Sequence, residues 1–226
     1  MTLSDGRKLE VQLAGKPQTT AIAFHHGTPG ATNTWTSWMH EVESLGGFAF
    51  SYSRPGYGQS DRHVGRTVAD NAKDIAEILE VLGITKTVSI GWSGGGPHAL
   101  ADTTLPQNVA AISIAGVGAY GANDLDFLAG MGEENHIEFG AAVQGPEAIE
   151  QWMQQNSPEI AAVTGDQIID AFGGLIGDAD KQALLDGSAE ETAASYRKSL
   201  EVSYYGWMDD DLAFVQPWGF EDRKST

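Results

Sequence analysis

A serine held on a sharp turn between a strand and a helix constrains this chain more than any other feature. Gly91-Trp92-Ser93-Gly94-Gly95 follows the β-branched run from Thr87 to Ile90 and opens a helix-compatible stretch, Gly96-Pro97-His98-Ala99-Leu100-Ala101. Strand, then G-x-S-x-G, then helix is the order that a nucleophile elbow requires. A serine at such a turn takes strained backbone angles, so its close neighbours must lack a Cβ; Gly91, Gly94 and Gly95 comply. The helix turns its N-terminal amides and the positive end of its dipole toward the serine, where an oxyanion would form. Pro97 suits the first helical turn, where its missing N–H would be unpaired anyway. The alternative is a plain Gly/Ser turn, and the surrounding chain weighs against it.

Before the elbow, periodicity gives a layered pattern. Asp5-Gly6 is a turn pair, and Lys8 to Leu13 is apolar on alternate residues, as in an edge strand after a hairpin turn. Thr20 to His25 is a short, nearly continuous apolar run, expected of a central strand buried on both faces. It ends in His26-Gly27-Thr28-Pro29-Gly30. Trp35, Trp38, Met39 and Val42 follow at helical spacing, then Phe48 to Tyr52 as a strand. Thr67-x-x-Asp70 resembles a capping box. Val68, Ala72, Ile75, Leu79 and Leu82 then hold one helical face up to Gly83. Val109 to Ala115 is expected as another buried strand. Alternating strands and helices with apolar strands predict a mostly parallel α/β sheet covered on both faces. Ligands in such sheets bind at the carboxyl ends of strands. The His26–Gly30 loop and the Ser93 turn both leave those ends.

On these residues the chain resembles the α/β-hydrolase superfamily, and within it small serine hydrolases related to proline iminopeptidases and esterases. His26-Gly27-Thr28-Pro29-Gly30, Arg54-Pro55-Gly56-Tyr57-Gly58-Gln59-Ser60 and Gly91 to Leu100 carry the likeness, which covers about residues 3–120. The resemblance implies an α/β-hydrolase core over residues 1–120 and an acidic helical cap over 121–226. It implies Ser93 as nucleophile toward a small-molecule ester or amide acyl donor. The backbone N–H groups of Thr28 and Gly94 would form the oxyanion hole, with His26, Gly27 and Trp92 in support. No cofactor or metal is implied. The family commonly places an acid where Ser53 stands, a change that bears on loop rigidity.

A larger departure lies downstream. In this fold the triad acid and histidine follow the serine. After Ser93 the only histidines are His98 and His136, and no strand–helix–strand pattern follows residue 120. A further βαβ unit needs about 30 residues or more. The sequence therefore predicts a hydrolase lacking its C-terminal strands, with triad acid and base unassigned and activity weak or absent. His98 is expected to be packed, His25 and His26 to brace the oxyanion loop, and His136 to be a solvated surface residue. His40 and His63 offer nothing distinctive. The missing strands would leave Val109–Ala115 as an open edge, a route to homo-oligomers. Alternatives on the same elbow are a lyase or perhydrolase, a binding module, or half of a complementing pair.

Charge divides the chain in the same place. The net charge is −18; residues 1–120 carry 10 acids and 8 bases, while residues 121–226 carry 21 and 5. Such acidity argues against nucleic acid and anionic membranes as partners. With no cysteine, disulfides and thiolate chemistry are excluded. Met1 to Lys8 lacks the apolar core of a signal peptide, and Val109–Ala122 is too short and Gly-rich to span a bilayer; a soluble cytoplasmic protein is expected. Helical spacing or composition appears in Asp124–Leu128, Pro146–Met153, Ile160–Phe172, Lys181–Leu185 and Glu190–Tyr205. Phe127, Trp152, Phe172, Tyr196, Tyr204, Tyr205, Trp207 and Trp218 are packed core or line a cleft beneath the cap. Asp209-Asp210-Asp211 is expected to be a solvated loop. Gly116-Val117-Gly118-Ala119-Tyr120-Gly121 fits G-x-G-x-x-G, but a dinucleotide site would need a helix opening there and another parallel strand.

Overall fold

A computed structural model describes residues 1–172 and 176–221; the side chain of Phe172 and the terminal residues 222–226 lie outside the described part. Five strands form one sheet: β1 (Val11–Ala14), β2 (Thr20–His25), β3 (Ala49–Tyr52), β4 (Lys86–Trp92) and β5 (Asn108–Ile114), in the order β1-β3-β2-β4-β5. β1 runs antiparallel to β3, and the other neighbours are parallel. Alternation along the strands puts apolar side chains on both faces. Ala21 and Ala23 of β2 join Phe50, Tyr52, Ile75, Ile78 and Leu79 in a core beneath α2 (Asp70–Leu82). Phe24 of β2 turns the other way, onto Trp35 and Met39, the latter on α1 (Thr36–Ser44). A strand flanked on both sides has no solvated face, which explains its nearly continuous apolar run. Truncating a side chain such as Phe24, fully buried here, removes about 3–5 kcal/mol of stability.

Local signals set the ends of the elements. Asp70 Oδ2 accepts from both the N–H and the hydroxyl of Thr67, at 2.8 and 2.9 Å, so the box closes from the acid's side. α2 ends at Gly83, whose φ of +68° is the left-handed conformation glycine adopts without penalty. The elbow helix α3 (Gly95–Ala101) is short and packs on β4 and β5.

β5 corrects one expectation. The apolar run predicts a buried strand and the missing downstream pattern an open edge; Val109 is 62% and Ile112 48% exposed, as at an edge. The reason is position: β5 pairs only with β4 and forms the sheet edge among the described residues.

After residue 120 the described chain is helical: α4 (Glu133–Gln144), α5 (Pro146–Ile160), α6 (Gly165–Phe172), α7 (Asp178–Ala183), α8 (Ala189–Ser199) and α9 (Tyr205–Phe214). Asp124–Leu128, expected as helix, forms turns instead, between left-handed Gly121 and Gly130. The helix expected from Ile160 starts at Gly165, because Thr164 and Gln167 make a reciprocal capping box there. The helix expected over Glu190–Tyr205 is α8, which ends at Ser199, and α9 begins at Tyr205. No described helix is long and apolar enough to cross a membrane.

Candidate functional site

The Ser93 turn has the geometry its sequence demands. Ser93 has φ +52°, one of two non-glycine residues with positive φ among the described residues, a conformation costing of order 1–3 kcal/mol unless its surroundings impose it. They do so at several points. The Ser93 N–H donates to Ile114 O at 2.9 Å, and Ser93 O accepts from Gly96 N–H at 2.9 Å. A Cβ on Gly91 would lie 2.1 Å from Gly95 O, and one on Gly94 would lie 2.2 Å from Thr28 Oγ1. Only hydrogen fits at either place. The Thr28 loop therefore lies directly against the residue after the serine. Gly27 packs on the Trp92 ring, with its would-be Cβ 2.9 Å from Cε3, so Gly27, Trp92, Thr28, Ser93 and Gly94 converge. Among the described residues, neither the Thr28 nor the Gly94 N–H donates a hydrogen bond within the chain.

These groups open into a cleft of about 410 Å³ lined in part by Ser93, Thr28, Gly94, Phe127, Phe139 and Phe214. Gly116 and Val117 also line it. The next helix begins only at Glu133, so the G-x-G-x-x-G stretch lacks the helix that a dinucleotide fingerprint needs. Of the aromatics singled out in the sequence, Phe127 lines the cleft. Trp152, Tyr204, Tyr205 and Trp207 instead pack in one cluster with Ile149 and Met153. Trp218 packs with Val68 and Phe214, and Tyr196 with the Val163–Ile168 cluster.

The histidines nearest the site are committed elsewhere. His26 Nε2 accepts the Arg54 N–H at 2.9 Å, which leaves Nδ1–H to donate to Gly27 O at 2.7 Å. Burial, then the Arg54 charge, hold its pKa well below the usual histidine value, so it is a neutral brace of the loop. His98 Nδ1–H donates to Gly94 O at 2.8 Å, and its Nε2 faces Asp210 at 3.6 Å. Burial followed by Arg54 depresses its pKa too. His25 Nε2 pairs with Asp102 Oδ2 at 2.8 Å, in a buried network with Ser89 and Asn71. His40 and His136 are exposed. None of the six imidazoles hydrogen-bonds Ser93 among the described residues.

The three aspartates of α9 are the main correction. Expected as a solvated loop, Asp209, Asp210 and Asp211 are 4%, 0% and 0% exposed, inside a helix. The reason is a set of arginines in the first half of the chain. Arg62 forks onto Asp209, with both bonds at 2.8 Å. Asp210 receives Arg54 Nη2 at 2.6 Å, Arg66 Nη1 at 2.5 Å, Tyr57 OH at 2.8 Å and Thr28 Oγ1 at 2.8 Å. Burial alone would raise its pKa, but Arg54 and Arg66 outweigh it and hold the carboxyl well below the usual range. Arg54 also donates to Gly27 O and Thr28 Oγ1, at 2.9 and 3.0 Å. The Thr28 hydroxyl is thus spanned by Arg54 and Asp210, fixing the loop that carries the Thr28 N–H. The signal was present in sequence: the acid run is flanked by Trp207-Met208 and Leu212-Ala213-Phe214, which cannot all face water.

A second missed residue explains Ser53. The loop after β3 does receive a carboxylate, but from Glu10, whose Oε2 accepts Ser53 Oγ at 2.8 Å. Ser53 Oγ in turn accepts the Thr32 N–H at 3.2 Å.

Residues 20–134 match the family described as the alpha/beta hydrolase fold, half of the chain and all of the elbow region. The chain belongs to this family. Among proteins similar to this alpha/beta hydrolase are a non-heme chloroperoxidase of Streptomyces lividans, 32% identical over 97 residues, and a bifunctional esterase/perhydrolase of Acinetobacter calcoaceticus, 30% identical over 97. Each match covers 42% of this chain and 35% of the relative, so the shared stretch is about a third of those proteins. Among solved structures, a carboxylesterase of the thaumarchaeon Nitrososphaera gargenis superposes with TM-score 0.62 at 17% identity. It covers 95% of this alpha/beta hydrolase and 71% of that chain. An esterase of Exiguobacterium antarcticum gives TM-score 0.60 at 19% identity, over 94% and 71%. At such identities these likenesses show the fold.

Proposed function

We propose that this alpha/beta hydrolase cleaves acyl bonds of small ester or amide substrates, with Ser93 as nucleophile and the Thr28 and Gly94 N–H groups as its oxyanion hole. One observation carries the reading: Ser93 is held at φ +52° in a cleft, beside two backbone N–H groups that donate no hydrogen bond among the described residues. A single hole donor contributes about 3–4 kcal/mol to the transition state. The phenylalanines of the cleft suit an apolar acyl group, and the acidity of residues 121–226 favours neutral or cationic substrates over anionic ones. With no imidazole on Ser93 the hydroxyl is a weak nucleophile, and turnover is correspondingly slow. Hydrolysis of p-nitrophenyl acetate and butyrate, with Ser93→Ala alongside, tests this. The expected result is slow turnover that the substitution removes; turnover unchanged in Ser93→Ala contradicts it.

A second reading is perhydrolysis, favoured by the likeness to a chloroperoxidase and an esterase/perhydrolase. It shares the acyl-serine and differs in the acceptor, hydrogen peroxide in place of water. Peracid formation from an ester and peroxide distinguishes the two. A chain that binds esters without acylation at Ser93 would instead be a binding module.

A further inference from the structure

The cleft that Ser93 lines also holds two carboxyl groups. Glu138 on α4 and Asp211 on α9 both line it. Glu138 is 8% exposed, with Oε1 accepting Trp207 Nε1–H at 2.7 Å. Asp211 is fully buried, and among the described residues neither of its carboxyl oxygens meets a donor N–H or O–H. An ionised carboxylate in that position would lose its hydration with nothing in return. Its remaining partner is Glu138, whose carboxyl lies within hydrogen-bonding reach. Two carboxyl groups hydrogen-bond only when one of them holds a proton. The charged and titratable groups around the pair do not change this. Glu134 on α4 and Asp210 on α9 add negative charge, Tyr196 on α8 is neutral, and Arg66 is already bound to Asp210.

We propose that the Glu138–Asp211 pair is the acid–base group of this cleft, accepting the Ser93 hydroxyl proton and returning it to the leaving group. The assignment rests on Ser93 being the nucleophile. As Ser93 Oγ bonds to the acyl carbon, its O–H bond breaks and the proton passes to Glu138, directly or through one solvent molecule. The carbonyl electron pair moves onto oxygen, against the Thr28 and Gly94 N–H groups. Collapse of that oxyanion breaks the bond to the leaving group, which takes the proton from Glu138. Water then attacks the acyl-serine by the same relay, and Ser93 regains its hydrogen. Glu138, with residual exposure, is the group that meets substrate. Asp211, with none, acts through it as a positioning residue. Burial above all raises the carboxyl pKa of Glu138, to about 6, and burial followed by the Glu138 charge raises that of Asp211 well above the usual range. A base tuned in this way is matched to neutral pH.

The test is the pH profile of p-nitrophenyl acetate hydrolysis for wild type, Ser93→Ala, Glu138→Gln and Asp211→Asn. Glu138→Gln is expected to lower kcat by about 10²-fold or more, with little change in KM, and to erase the acid limb. Asp211→Asn exchanges the acid proton that Glu138 accepts for a weaker amide donor, and should move that limb to higher pH. Infrared difference spectra give a readout independent of turnover. The C=O stretch of a protonated carboxylic acid is expected near neutral pH in wild type and Ser93→Ala, and should be lost in Asp211→Asn. A wild-type profile in Glu138→Gln, while Ser93→Ala still abolishes turnover, overturns the pair and leaves Ser93 standing. So does a wild-type spectrum without that band, or a Ser93 that takes a fluorophosphonate label without ester turnover. Turnover surviving in Ser93→Ala overturns the nucleophile itself.

Discussion

Thr28 Oγ1 donates a 2.8 Å hydrogen bond to Asp210 Oδ2, joining a loop at the end of β2 to a helix 182 residues further along the chain. The contact ties α9 to the Thr28 loop that lies against Gly94, the residue after Ser93. The hydroxyl is held between Asp210 and Arg54, so the peptide bearing the Thr28 N–H cannot turn away from Ser93.

Removing that carboxylate should therefore affect stability and site together. Asp210→Ala leaves Arg54 and Arg66 buried without their counter-charge, a loss of about 3–5 kcal/mol in chemical denaturation. Thr28→Val keeps the ion pairs, so it should cost about 1–3 kcal/mol, from one buried partner left unmatched, while slowing acylation of Ser93. Equal stability loss in both variants would contradict the hierarchy.

Gly94→Ala tests the closeness of Gly94 to the Thr28 loop. Its methyl group would lie 2.2 Å from Thr28 Oγ1 and 3.1 Å from Phe214 Cζ. One side must move, and acylation should fall by about 10²-fold, the size of one hole donor. A fluorophosphonate labelling rate equal to wild type would show that the Thr28 loop is elsewhere in solution.

Two buried acids impose opposite pH dependences. Glu138 titrates near 6 in the fold against an ordinary 4.5, so its contribution is complete below 4.5 and lost as pH rises through 6. The effect is on the order of 2 kcal/mol. Asp210 is depressed, so its contribution is present above the ordinary 3.8 and lost on acidification through its folded value. Thermal stability should peak in the mildly acidic range. Glu138→Gln should flatten the decline toward neutral pH and leave the acid side intact.

The exposed β5 edge predicts self-association, since unpaired strand N–H and C=O groups flanked by Val109 and Ile112 template pairing with another copy. Ile112→Lys should shift the sizing-chromatography profile toward monomer. A wild-type chain that is monomeric at high concentration would contradict this.

The sheet and the elbow were legible because they depend on local rules. β2 occupies the residues Thr20–His25 read from the apolar run, and α2 ends at the glycine that the pattern named. Signals spanning a few residues sufficed there. Asp210 and Glu138 were not legible, because their burial is decided by Arg54, Arg66 and Trp207, tens to more than a hundred residues away. A run of three aspartates is solvated on its own and becomes core only when arginines from another layer meet it. β5 was legible in part: its apolar sequence describes a covered strand, whereas the lack of a strand–helix–strand pattern after residue 120 predicts the open edge that Val109 and Ile112 show.

The central claim is that Ser93 is the nucleophile of the cleft, beside the Thr28 and Gly94 amides that donate no hydrogen bond among the described residues. Its most direct test is covalent labelling of the intact chain by a fluorophosphonate, followed by peptide mass mapping. The account predicts a single adduct on Ser93 that is absent in Ser93→Ala and slowed in Gly94→Ala. An unlabelled Ser93 in folded protein, or an adduct on any other residue, would contradict it.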